Sequence, residues 1–209
     1  MLELLINISI KTGWVIVPLF LCGLVGWIIL IQLYFFLRDQ KIDKNVIKKK
    51  KFLQAIEADD VKYIEEHLAN EESSVLSGYL KMLAENHRSP KRHLDNLCRA
   101  YTDKNLSIHF RGISTIKAMA AVAPLLGLLG TVSGMIVTFD VISFYGNSNP
   151  VLMADGISEA LLTTQAGLTI AFPLLFFQVL LNGKLKNLKN TMEDYLIEIE
   201  HRKILRHEK

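Results

Sequence analysis

Apolar residues gather into three long runs, 14–37, 118–143 and 156–181, separated by stretches where charges recur every few positions. A helix rises about 1.5 Å per residue and needs roughly 20 residues to cross a bilayer core, so each run is long enough to span one. Between the first two runs, Val46, Ile47, Phe52, Leu53, Ile56, Val61, Ile64 and Leu68 recur at helical spacing, with Asp59 and Asp60 as a helix start. Ser89-Pro90 breaks that pattern, and Leu94, Leu97, Tyr101 and Ile108 resume it in a helix expected to continue into the second run. Residues 144–153 carry Gly146, Asn147, Asn149 and Pro150, a turn composition that makes runs two and three an antiparallel hairpin. Beyond the third run, Leu185, Leu188, Met192, Leu196 and Ile199 step by three and four, as in a helical packing seam against a second copy or the middle segment. No strand-type alternation appears.

The pattern predicts an all-α membrane protein with three transmembrane helices and long cytoplasmic helical extensions. Its parts are an outer N-terminus (1–13), helix 1 (14–37), a cytoplasmic helical segment leading into helix 2 (38–117), helix 2 (118–143), an outer loop (144–155), helix 3 (156–181) and a cytoplasmic helix (182–209). The first run is read as a retained span, because a cleaved signal has a shorter apolar core behind a basic start.

Charge fixes the orientation. Of 24 lysines and arginines, 23 lie in 38–117 or 184–209, and none lies in 144–153. Positive flanks stay on the cytoplasmic side, which puts the N-terminus outside and the C-terminus in the cytoplasm. The net charge of +3 is therefore explained by topology rather than by a nucleic-acid partner, with Lys48–Lys51 also placed to touch anionic headgroups of the bilayer. Cys22 and Cys98 fall on different parts of that topology, so one chain offers neither a disulfide nor a cysteine metal site. No phosphate loop, metal-ligand cluster or nucleophile constellation appears, and an enzyme is not expected. Nor is any cofactor.

The spans carry two stripes of small residues. Ala120, Pro124, Gly127, Thr131 and Thr138 lie within about 60° on helix 2, and Ala160, Thr164, Gly167, Ala171, Gln178 and Asn182 do so on helix 3. Such stripes either let helices approach closely in lipid or line a hydrated axis. Glu159 reads as the acidic residue well placed inside a span, either functional or an interfacial carboxylate, with Asp155 better suited to capping the third helix. No Asp, Glu, His, Lys or Arg occurs between Ala118 and Phe139 or between Ala160 and Asn182. A proton path through these helices needs a titratable group from elsewhere.

Residues 123–135 (APLLGLLGTVSGM) and 156–168 (GISEALLTTQAGL), the latter followed by Ala171-Phe172-Pro173, closely resemble the two core spans of the MotA/TolQ/ExbB proton-channel family, nearest its ExbB branch. The resemblance is strong over about 112–183 and extends over the rest by topology. It implies a homopentameric ring in a bacterial inner membrane, whose second and third spans surround the single-span helices of an ExbD-like partner. The partner's aspartate carries the proton, and a TonB-like protein conveys the work to uptake across the outer membrane. Glu159, Thr131 and Thr164 fall on the family's functional positions. Ser133 stands where relatives often have an aromatic residue, and Thr163 beside Thr164 can share or replace the latter's role. A shorter N-terminus than in some ExbB proteins leaves a TolQ-like envelope motor as the alternative, while MotA needs four spans. A passive scaffold remains a third reading. A solute transporter would show inverted repeats around a midplane site, which are not evident.

Overall fold

A computed structural model describes residues 14–40, 53–56, 74–145 and 150–207. Among these the elements are helices: α1 (Ile16–Asp39), α2 (Val75–Asn86), α3 (Lys91–Tyr145) and α4 (Pro150–His207), with one further helical turn at 53–56. The helical pattern expected around Val46, Val61 and Leu68, the start at Asp59-Asp60, and the lysines Lys48–Lys51 lie outside the described residues.

α1, α3 and α4 are each long and apolar enough over part of their length to cross a membrane, and the chain is a multi-pass membrane protein. α3 has 55 residues and α4 has 58, so each is about 80 Å long and runs well past any bilayer core. Pro124 and Pro173 sit inside them. Each proline removes an N–H donor, which transmembrane helices tolerate because neighbouring groups re-satisfy the backbone.

The break at Ser89-Pro90 separates α2 from α3. The Ser89 amide donates to the Asn86 carbonyl at 2.9 Å, and the His93 and Leu94 amides donate to Pro90 at 2.9 and 3.1 Å, opening α3. At the other end of the hairpin the link is shorter than the turn composition suggested. α3 continues to Tyr145 and α4 begins at Pro150, since proline's fixed φ and missing N–H suit the first helical turn. Asp155 is consequently inside α4, exposed, and does not cap it.

The chain divides into two compact units. Among the described residues the first holds 14–32, 112–145 and 150–180. In it α3 and α4 pack antiparallel, with Ala123 against Gly167, Gly127 against Thr163 and Thr164, Gly134 against Ala160, and Thr138 against Gly156. α1 lies along one flank of this pair: Leu19 clusters with Ala123 and Ala171, with Leu126, Ala166 and Ile170 packed around them. Gly23 meets Ile170, Gly26 meets Leu174, Trp27 sits 6.3 Å from Phe177, and Ile29 meets Gly112. The Cys22 thiol donates to the Met119 carbonyl at 3.4 Å.

Among the described residues the second unit holds 33–40, 53–56, 74–111 and 181–207. Its core is built from large side chains: Tyr79, Leu83, Leu94, Leu106, Leu185, Leu188 and Met192 are each at most 1% exposed. The seam expected beyond the third span is therefore filled from within this chain. Lys91 pairs with Glu200 at 2.8 Å and Lys203 donates to the Ser89 carbonyl at 3.0 Å, which sets the end of α4 beside the start of α3. α2 is capped by Ser74, and the buried Gln40 carbonyl oxygen accepts from the Ser74 hydroxyl at 3.1 Å and the Val75 amide at 2.8 Å. Tyr101 donates to the Val75 carbonyl at 3.2 Å, and Phe36 stacks on His109 at 3.5 Å between ring centres. Burial pushes the Tyr79 hydroxyl and the Cys98 thiol upward from their ordinary ranges. Cys98 is thus a packed thiol rather than a reactive thiolate.

Candidate functional site

The seam between α3 and α4 is a contact of backbone on backbone. A methyl group added at Gly127 would lie 3.0 Å from the Thr163 carbonyl oxygen and 3.1 Å from the Thr164 Cα. One added at Gly167 would lie 2.7 Å from the Ala123 carbonyl oxygen, and one at Gly134 would lie 2.9 Å from the Ala160 Cβ. Gly130 admits the Thr163 side chain and Gly156 admits that of Thr138. Ala160 and Ala171 are 2% and 3% exposed in the same seam. Within the chain, then, Gly127, Ala160, Gly167 and Ala171 act as the small residues that let two membrane helices close on each other.

The threonines divide by position. Thr163 is 1% exposed, and its hydroxyl donates to Ala160 at 2.7 Å with a longer contact of 3.4 Å to Gly127. Thr138, 2% exposed, donates to Gly134 at 3.0 Å. Thr164 sits at the rim of the seam, half-buried, and donates across it to the Gly127 carbonyl at 3.1 Å. Thr131 is also half-buried and donates to Leu128 in its own helix at 2.7 Å. Pro124 is half-buried, about two turns from Thr131.

The two rim threonines share a flank, and it is the one that α1 leaves open. α1 covers the side bearing Leu126, Ala166 and Ile170. Around an ideal helix Thr131 is about 140° from Leu126, and Thr164 about 120° from Ile170. Because Gly127 is level with Thr164, Thr131 lies about 6 Å further along the axis.

Glu159 is not on that flank. It is half-buried and about 140° round α4 from Thr164, toward the side that α1 takes elsewhere. The α1 residues described against α4 meet it at Ile170, Ala171, Leu174 and Phe177, the first of these about 16 Å along α4 from Glu159. The helix hairpin thus separates the carboxylate from the two rim hydroxyls instead of gathering all three.

Asp140 was missed by the sequence reading, which treated Glu159 as the well-placed acid. It lies inside α3 and is exposed. It is about 40° from Leu126 on the wheel and so on the same side as Glu159. A carboxylate between Phe139 and Val141 in an apolar run was the available signal. Among the described residues no group of three or more His, Cys, Asp or Glu is placed to hold a metal ion.

Comparison with known proteins places this geometry. The sequence profile described as the MotA/TolQ/ExbB proton channel family matches residues 64–194, which include the whole seam. A biopolymer transport protein exbB1 of Vibrio cholerae is 29% identical over 177 residues, covering 82% of this chain and 76% of that protein. A putative biopolymer transport protein ExbB-like 1 of Synechocystis is 44% identical over 87 residues, 40% of this chain and 34% of that protein. The biopolymer transport protein ExbB of Salmonella typhimurium is 32% identical over 89 residues, 43% of this chain and 36% of that one. The chain thus spans about a third of the Synechocystis and Salmonella proteins and about three quarters of the Vibrio one.

Proposed function

The chain belongs to the MotA/TolQ/ExbB proton channel family as an ExbB-like member, and from that premise we propose that it is the ring subunit of a proton-driven motor in a bacterial inner membrane. The ring is a homopentamer with the N-terminus periplasmic and the C-terminus cytoplasmic. An ExbD-like single-span protein occupies its axis, and a TonB-like protein carries the work to uptake across the outer membrane. The chain acts by passing protons and moving a partner, not by catalysis.

One observation carries this reading: Thr131 and Thr164 share the flank of the α3–α4 pair that α1 leaves open, in helices with no titratable group between Ala118 and Phe139 or between Ala160 and Asn182. The hydrogen-bond directions add chemistry. Each hydroxyl spends its proton on a carbonyl of this chain, Thr131 on Leu128 and Thr164 on Gly127. What each oxygen offers to an occupant of the flank is therefore lone pairs. Such a pair of acceptors suits water, hydronium or the O–H of a protonated carboxylic acid, and gives less to the carboxylate itself. A partner's aspartate would be favoured in its neutral form between them and would lose its proton beyond them.

Thr163, buried in the seam with its hydroxyl donated to Ala160 of its own helix, fills the space beside Gly130 in this scheme and does not take over from Thr164. Glu159, on the other side, acts near the outer membrane surface on protons or partner groups.

Thr131→Val and Thr164→Val keep the shape and remove the acceptor, whereas Thr→Ser keeps the acceptor. Partner-dependent uptake should be lost in the valine variants and retained in the serine variants, with ring mass unchanged in all four. Cysteines at Thr131 and Thr164 should react with small water-soluble reagents faster than cysteines at Leu129 and Leu162, about 160° round each helix. Full activity in the valine variants, or equal labelling of all four sites, would reduce the flank to a packing surface.

A further inference from the structure

Nine of the ten described glycines have a packing reason to lack a side chain. A Cβ at each would meet a neighbouring atom within 4 Å: Ile170 at Gly23, Leu174 at Gly26, Tyr101 at Gly78, Ile29 at Gly112, and the opposing helix at the five glycines of the α3–α4 seam. Gly183 is the exception, with no described residue within 4 Å of the same position. It is exposed, and it lies inside α4, between the buried Leu181 and Leu185.

Glycine is the poorest helix former apart from proline, since it has the most backbone freedom to lose and gives no side-chain contact in return. Among the described residues nothing offsets that cost at Gly183. Its place along the helix is a second, independent observation: the boundary between the two compact units falls on α4 between Leu180 and Leu181. The one described glycine without a packing role thus stands within one turn of the point where α4 leaves the membrane unit.

We propose that Gly183 is a flexible point in α4, at which the helix beyond the span changes direction during the proton-driven cycle. This rests on the motor reading for its purpose, though not for its physics. Because the added methyl meets none of the described residues, Gly183→Ala stiffens the backbone without a clash among them. Asn187, exposed and one turn further along the same face, provides the compensating change. Asn187→Gly returns the lost freedom without removing a charge.

The test is amide hydrogen exchange on the full chain with its single-span partner in lipid nanodiscs, alongside proton-driven uptake and native mass spectrometry. Local opening at 183–187 should slow by about fivefold in Gly183→Ala. Uptake should fall, thermal stability should hold or rise, and ring mass should stay the same. The Gly183→Ala/Asn187→Gly variant should recover both exchange and uptake. Unchanged exchange, or wild-type uptake in Gly183→Ala, overturns the proposal. A change in ring mass also overturns it, because the bare position would then be a contact for a second copy. Absence of uptake in the wild-type assembly would count against the motor reading alone, leaving the exchange comparison to decide the flexible point.

Discussion

The α3–α4 pair in the membrane unit and the same two helices in the polar unit are held together in opposite ways. Between Ala123 and Thr138 the contact is glycine, alanine and threonine, with backbones touching. In the other unit the residues that α3 and α4 bury are Leu94, Cys98, Leu106, Leu185, Leu188 and Met192, large side chains that share the core with Tyr79 of α2. The solvent explains the difference. In water, burying a leucine contributes about 1.5–3 kcal/mol, so large apolar side chains drive association. In lipid that term vanishes, because acyl chains are as apolar as leucine, and what remains is close dispersion contact and interhelical hydrogen bonding. One continuous helix therefore changes its adhesive along its length. The large residues Leu125, Leu128, Leu161, Phe172 and Phe176 are left exposed on the membrane stretch, where they can meet lipid or other chains.

The sharpest way to break this comparison is to put a large side chain into the small seam. Gly127→Leu drives a side chain into the Thr163 carbonyl and the Thr164 backbone, neither of which can swing aside, and should cost at least the roughly 3 kcal/mol of severe overpacking. Thermal denaturation in detergent, followed by circular dichroism, should show loss of the cooperative transition of the membrane helices. An unchanged transition would mean that the two backbones are not in contact.

The reverse change in the polar unit comes next. Leu188→Ala empties a fully buried site and should destabilise that unit by about 2–5 kcal/mol, read as faster proteolysis there while the membrane hairpin stays resistant. Lys91→Ala removes an ion pair whose lysine is largely in water, so no measurable change in that proteolysis is expected. Phe20→Ala, at a half-exposed site of α1, should shift thermal stability by less than about 0.5 kcal/mol, since lipid replaces what the ring touched.

The sequence made the two chemistries visible without locating them. Leu185, Leu188, Met192 and Ile199 announced a seam by their spacing, and three apolar runs announced three spans. The small stripe was harder, because a wheel gathers Gly127, Thr131 and Thr138 within about 60° and cannot say which edge another helix covers. That depended on where α1 docks, a contact of Leu19 with Ala123 and Ala171 that links distant parts of the chain. Thr163 and Thr164 show the same limit, since neighbours in sequence lie about 100° apart on a helix and only one stands at the rim. Asp155 was assigned to a cap because Gly146, Asn147 and Asn149 suggested a longer loop, whereas Pro150 starts the helix earlier. Asp140 was simply hidden among apolar neighbours.

The proposed function requires that this chain supply acceptors for a proton and not the group that carries it. Proton flux in liposomes under an imposed gradient, read with an internal pH dye, tests it most directly. The chain alone should leak little, the chain with the proposed single-span partner should conduct, and Thr131→Val with Thr164→Val should abolish that conduction. Sustained, proton-selective flux through the chain alone would contradict it.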